Sequence, residues 1–292
     1  MSKHTHYQAA FKTAFYSYWT LFKEKFGLRM RPTSRVIHAG MDHAVSRYTR
    51  ICKTLLEHIP DKTKLNGAIV AEIGFGDCFA SADMMLGLDA KHVHLIEFLP
   101  LNLTEDNRKA LTMVAGDPEL PNRCELIPRD GDVELDPRKA TYHQGFLEDL
   151  EVTEKVDFLY SFDVLEHVED LDGFFNYCEK AVKPGGIMLH KFDLSGHGLF
   201  EDPMPPLDFQ IFPTWLFNLI FVKYKRAVGR FEDEFIHSME KHGFTVEEVI
   251  PIRVADKEYV DEIWPHLRKE ARQRDRDRVA ILDVVFIARR NG

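Results

Sequence analysis

The stretch that decides the fold is Ala68-Ile-Val-Ala-Glu-Ile-Gly-Phe-Gly-Asp-Cys78. Its first half is an apolar run broken only by Glu72, and a short apolar run ending in a turn reads as a strand buried on both faces. Gly74 and Gly76 end the run. Glycine admits a left-handed turn and lets another group come close to the backbone. In open α/β sheets ligands sit beyond the carboxyl ends of the strands, where the strand order reverses. The turn after Ile73 therefore floors a binding site.

Working outward, strands and helices alternate. Phe79 to Leu88 reads as a helix, Val93 to Glu97 as a strand and Leu101 to Met113 as a second helix. Thr141 to Gln144 is a third strand and Val156 to Ser161 a fourth. Asp172 to Ala181 is a helix stopped by Lys183-Pro-Gly-Gly186, and Ile187 to Phe192 is a fifth strand. After an interruption the pattern resumes with a helix at 232–242, a strand at Thr245–Pro251, a helical segment at 258–274 and a last strand at Ala280–Ala288. This alternation predicts an α/β fold, a doubly wound and mostly parallel sheet with helices on both faces. Two segments stand outside it as insertions: about 116–140, rich in Pro, Asp and Arg with strand-like pieces such as Cys124-Glu-Leu-Ile, and 195–229, rich in Gly, Pro and aromatics. Residues 1–65 hold two amphipathic helical patterns, at 7–26 and 41–58, and read as a helical N-terminal extension to a domain at 66–292.

Composition narrows the class. Of 292 residues, 45% are hydrophobic and 29% charged, which is enough to bury a sizeable core. The formal net charge of −9 argues against a broad phosphate-binding surface, so no nucleic-acid partner is expected. The mixed-sign run Arg268–Arg278 reads as a solvated helix face. Cys52, Cys78, Cys124 and Cys178 form no CxxC pair, which suits a reducing cytoplasm rather than a disulfide framework or a zinc site. The N-terminal residues lack the pattern of a signal peptide. Ile211–Val222, the most apolar later stretch, is shorter than the about 20 residues a membrane span needs.

The turn also restricts the ligand. A dinucleotide fingerprint would carry a third glycine where Phe79 stands. The Glu72 carboxylate, two residues before Gly74, would repel a pyrophosphate but suits a ligand bearing an ammonium and a sulfonium, which favours S-adenosylmethionine over NAD. Glu72-Ile-Gly74-Phe-Gly76-Asp-Cys78 resembles the acid-x-Gly-x-Gly-x-Gly motif of the class I S-adenosylmethionine-dependent methyltransferases, with Cys78 in place of the last glycine. Glu97 stands where that family has a ribose-binding acid. Gly145-Phe146-Leu147 resembles the segment passing the adenine, with Phe146 where the family often has an acid. Ser161-Phe-Asp163-Val164-Leu-Glu166-His167-Val and Lys183-Pro-Gly-Gly186 resemble two further family segments. The resemblance spans 66–195. It implies a seven-stranded sheet, S-adenosylmethionine as cofactor with S-adenosylhomocysteine as product, and cofactor contacts at Glu72, Gly74, Gly76, Cys78, Glu97, Phe98, Phe146, Leu147, Asp163 and Val164.

Methyl transfer to a protic acceptor needs the acceptor positioned and its proton removed. Histidine suits the second task. His167 follows the fourth strand, His190 lies on the fifth, and His197 lies just beyond it between two glycines. His197 is the first choice of base, with Asp193 to orient it. Asp163, Glu166 and His167 match no standard ligand spacing, so no metal is expected. The aromatics of 199–224 lie where the family keeps acceptor insertions and read either as a lid or as core. A weaker similarity to methyltransferases encoded with polysaccharide or secondary-metabolite genes extends to the C-terminus. The expected activity is methylation of a hydroxyl, amine or carboxyl of a small molecule, a sugar or natural product, by a cytoplasmic enzyme and a homodimer. The alternatives are methylation of RNA or protein, and a subunit that binds S-adenosylmethionine without turnover.

Overall fold

The computed structural model describes residues 14, 15, 18, 19, 22, 37, 40–98, 100, 101, 103–127, 131–152, 154–196, 205–216 and 229–292. In chain order its main elements are α1 (Met41–His58), β1 (Ile69–Ile73), α2 (Ala80–Gly87), β2 (His92–Glu97), α3 (Glu105–Ala115), β3 (Ala140–Gln144), β4 (Val156–Phe162), α4 (Leu171–Ala181), β5 (Val182–Asp193), α5 (Glu232–Lys241), β6 (Phe244–Val254), α6 (Lys257–Ile263), α7 (Lys269–Arg272), α8 (Arg276–Val279) and β7 (Ile281–Arg290). The seven strands form one sheet in the order β3-β2-β1-β4-β5-β7-β6. All pairings are parallel except those of β7, which runs antiparallel to both β5 and β6. The order reverses between β1 and β4, which puts the topological switch point expected from the sequence beside the turn after Ile73.

Both faces of the sheet are covered. On one face Val70, Leu95, Tyr160 and Leu189 pack against Ile51 of α1, Met84 of α2 and Leu111 of α3. On the other, Ala71, Leu159 and Met188 pack against Phe175 of α4 and Phe235 of α5. Apolar residues at helical spacing explain the place of α1: Ala44, Tyr48, Ile51, Cys52 and Leu55 are all buried. α1 thus shares one core with the sheet. Of the helical pattern at 7–26, only Ala14, Phe15, Tyr18, Trp19 and Phe22 fall within the described residues.

Local chemistry shifts several boundaries. α3 starts at Glu105 rather than Leu101, because the Asn107 side chain accepts a hydrogen bond from Thr104 N at 2.7 Å and closes the first turn there. The single helical segment expected at 258–274 is instead α6 and α7, separated by a short 3-10 turn at Trp264–His266 that contains Pro265. Cys124-Glu-Leu-Ile forms no strand. Its amides have another partner: the fully buried carboxylate of Asp83, on α2, accepts hydrogen bonds from the backbone N–H of Arg123, Cys124, Glu125 and Leu126 at 2.7–3.2 Å. Four donors converging on one anion leave none for a strand ladder. The approach is close enough that a Cβ on Gly87 would lie 1.9 Å from Pro121 O.

The carboxyl edge of the parallel strands carries a cover. Asp193 at the end of β5 pairs with Asp283 near the start of β7, and Val254 at the end of β6 pairs with Ile281. The segments after β5 and between β6 and β7 therefore leave the sheet at the same edge. They pack on each other through Leu207, Ala255, Val260, Ala280 and Leu282, and the Tyr259 hydroxyl donates to Asp208 Oδ1 at 2.7 Å. In this cover Phe209 and Phe212 are buried, so part of the 199–224 aromatic set is core.

Asp83→Asn puts an amide donor where backbone donors converge. It should lower stability by about 1–3 kcal/mol, the cost of leaving buried N–H groups unpaired. Chemical denaturation checks this; an unchanged midpoint would show that the Asp83 network holds nothing.

Candidate active site

The site is built from the loops that follow β1, β2, β3 and β4. Gly74 and Gly76 both adopt left-handed backbone, with φ of +73° and +72°. Their missing side chains make room for protein as well as for a ligand. A Cβ on Gly74 would lie 2.4 Å from Val164 Cγ2, and one on Gly76 would lie 2.8 Å from the Tyr48 hydroxyl. The turn after β1 is thus pressed against the turn after β4 on one side and against α1 on the other. Tyr48 donates to Asp77 Oδ1 at 2.8 Å, and Asp77 Oδ2 accepts from Ile37 N at 3.0 Å, which ties the glycine turn to the segment ahead of α1.

Glu72 does not face this crevice. It is 3% exposed and lies beneath the turn, where Ser81 Oγ and Tyr160 Oη donate to its two oxygens at 2.5 and 2.8 Å. The strand alternation that puts Val70 in the core puts Glu72 there too, so its carboxyl braces the turn and does not meet a ligand ammonium. Burial pushes it up to about 7, against the pull of the two hydroxyls. Cys78 and Leu147 are core residues as well, packed in opposite layers.

The remaining expected residues come together at the carboxyl edge. Glu97 ends β2 half-buried, with Oε1 accepting from Phe98 N at 2.9 Å. Gly74 N donates to Ile96 O and Gly145 N to Glu97 O, so the turns after β1 and β3 flank this carboxylate. Phe98 and Phe146 are 47% and 43% exposed, and their rings stack in parallel with centroids 5.7 Å apart. Two solvent-facing rings beside a carboxylate, at the strand-order reversal, fit a nucleoside: Glu97 would take the ribose hydroxyls, and the aromatic pair would offer the base a flat surface.

The histidines separate. His190 is 0% exposed; it shares a hydrogen bond with Ser161 Oγ at 2.8 Å, and the Phe174 and Phe175 rings approach it edge-on. Burial lowers it to about 3, so it stays neutral in the core and does not reach an acceptor. His167 is exposed on the 3-10 turn after β4. His197 lies outside the described residues. Asp193 accepts from Ser195 N at 2.7 Å and faces the Arg253 guanidinium at 3.4 Å.

Sequence reading missed the charged chain at this edge. Asp163 receives Lys191 Nζ at 2.6 Å and Arg47 at 3.3 Å; Lys191 also reaches Asp283 at 2.8 Å, and Asp283 receives Arg253 at 2.6 Å. Arg47 and Asp163 are 116 positions apart in sequence, so no local pattern could join them. Lys191, at the end of an apolar strand, was the one visible signal.

Residues 72–190 match a family model described as a methyltransferase domain. The chain's seven-stranded sheet, parallel but for β7 and covered by helices on both faces, has the architecture that the sequence resemblance implies. Among solved structures, the chain is similar to an S-adenosylmethionine dependent methyltransferase from Mesorhizobium loti, at 19% identity and TM-score 0.44, covering 86% of this chain and all of that one. It is also similar to phosphoethanolamine N-methyltransferase 2 from Haemonchus contortus, at 16% identity and TM-score 0.46, covering 83% of this chain and 53% of that one. The [4+2]-cyclase SpnF is a similar structure too, at 12% identity and TM-score 0.43, covering 83% of this chain and 80% of that one. No curated protein sequence matches the chain.

Because the folded chain holds the Glu72 proton up to about 7, against an ordinary 4.5, that proton stabilises the fold fully below pH 4.5, and the contribution is lost as the pH rises to 7. The effect is on the order of 3 kcal/mol. Glu72→Gln should flatten this fall while the wild type keeps it; denaturation midpoints across the same pH range decide, and parallel profiles would contradict the assignment.

Proposed function

We propose that this protein is a methyltransferase that methylates a hydroxyl, amine or carboxyl of a small molecule of sugar or natural-product type. The observation that carries the reading is the cover at the carboxyl edge. Two separate segments, after β5 and between β6 and β7, leave the sheet at its carboxyl edge and pack on each other through an apolar cluster. A cover made of the chain's own residues favours an acceptor small enough to be enclosed. The net charge of −9 also weighs against a nucleic-acid acceptor.

Bound S-adenosylmethionine supplies an activated methyl on a sulfonium with a neutral thioether as leaving group. Glu97, Phe98 and Phe146 hold the nucleoside end. Val164, seated against Gly74, shapes the crevice between β1 and β4. His197 accepts the acceptor proton, and Asp193, held by Ser195 N and Arg253, orients it. The location proposed for the enzyme is the cytoplasm, and a homodimer its assembly.

Incubation with methyl-labelled S-adenosylmethionine and separate pools of small hydroxyl, amine and carboxyl compounds, tRNA and protein tests the reading. Label should pass to a small molecule, with release of S-adenosylhomocysteine. His197→Asn should slow that transfer by about 10²–10⁴ while binding S-adenosylhomocysteine as the wild type does. Label appearing only in RNA or protein would overturn the acceptor class, and full activity of His197→Asn would move the base elsewhere.

A further inference from the structure

Asp163 stands out at the carboxyl edge for its backbone. It is not glycine, yet its φ is +55°, a left-handed conformation in which an L side chain crowds its own backbone. Such a residue persists only where its surroundings hold it. Here the hold is specific. Asp163 N donates to Lys191 O at 2.8 Å, and Asp163 Oδ1 receives Lys191 Nζ at 2.6 Å, so one residue grips both the backbone and the side chain. Arg47 adds a longer contact from α1, at 3.3 Å.

Lys191 is itself fixed. Its side chain is 12% exposed, its ammonium lies 5.3 Å from the centre of the Phe162 ring, and Asp283 takes a second hydrogen bond at 2.8 Å. Burial alone would lower the ammonium, but Asp163 and Asp283 outweigh it and hold Lys191 above the ordinary lysine range. The charge is therefore permanent near neutral pH, and Lys191 is no proton acceptor. Asp283 in turn is held by Arg253, which also reaches Asp193 and Ser195 at the start of the cover.

The consequence lies one residue on. Val164 fills the space a Cβ would take at Gly74. Where Asp163 points the chain decides where Val164 sits, and Val164 sets how closely the turns after β1 and β4 approach. We infer that Lys191 is a positioning residue for the cofactor crevice: by clamping Asp163 in its left-handed conformation it fixes Val164 against Gly74. A buried ion pair placed only for stability would add little, since desolvation offsets most of its attraction. Its use here is to impose a backbone conformation that the sequence does not favour. The inference rests on the crevice being the S-adenosylmethionine site.

The test is a double-mutant cycle read as affinity for S-adenosylhomocysteine by calorimetry. Lys191→Met should weaken binding about tenfold, and Lys191→Arg, which keeps the charge, should recover most of it. Glycine adopts the left-handed conformation unaided, so in an Asp163→Gly background Lys191→Met should change affinity by less than about twofold. A merely structural ion pair would instead shift the denaturation midpoint and leave affinity alone. If Lys191→Met does not fold, Asp283→Asn, which loosens Lys191 without removing it, takes its place in the cycle, with a smaller loss that again vanishes in the Asp163→Gly background. Wild-type affinity in Lys191→Met, or equal losses in both backgrounds, would overturn the inference. Failure of the wild type to bind S-adenosylhomocysteine would instead reject the cofactor site on which it rests.

Discussion

The functional edge of this protein depends on how closely two turns approach each other. The chain after β1 must pass the chain after β4 with Gly74 facing Val164, and a Cβ on Gly74 would leave only 2.4 Å to Val164 Cγ2. In a close-packed interior a side chain at Gly74 would force Val164 or the turn itself to shift. On the other flank Gly76 is pressed by Tyr48 in the same way. The strand-order reversal gives the crevice its location, and these two glycines let the turn after β1 pack against Val164 and Tyr48.

Around that contact the polar groups are sorted by depth. Glu72, under the turn, is satisfied by two hydroxyls and held up to about 7, so it behaves as a buried hydrogen-bonded acid. Glu97, one strand over and half-buried, keeps the wet side of the same edge. Farther along, Asp163, Lys191, Asp283 and Arg253 alternate in sign from β4 to β6. Two acids of the same chemical type thus take opposite roles: one lies inside the core and braces, the other lies at its rim and can meet a ligand.

Much of the fold was legible because β1, β4 and β5 are rich in apolar residues, and glycines border the apolar runs of β1 and β5, a local signal. The glycine turn, Glu97 and the Phe98–Phe146 pair could be found for the same reason: each directly follows a readable strand. Where the reading went astray, a distant partner had the last word. Cys124–Ile127 looked strand-like until Asp83, 41 positions away from Cys124, claimed its amides. Glu72 looked ligand-facing because its motif neighbours are, yet side-chain alternation turns it inward to Ser81 and Tyr160. His190 looked like a candidate base by position, but its face of β5 packs on Phe174 and Phe175. Beyond Lys191 the ion chain was hidden for the same reason: its members come from α1, the turn after β4, β5, β6 and β7 and share no local pattern.

The central claim is that the edge formed by the glycine turn and Glu97 holds S-adenosylmethionine and not a dinucleotide. Calorimetric titration of S-adenosylhomocysteine and NAD into the wild type and Glu97→Ala tests it most directly. The account predicts saturable binding of S-adenosylhomocysteine, weakened in Glu97→Ala by about 1–3 kcal/mol as ribose hydroxyls lose their acceptor, and no saturable binding of NAD. Saturable NAD binding without S-adenosylhomocysteine binding, or equal affinity of Glu97→Ala and the wild type for S-adenosylhomocysteine, would contradict it.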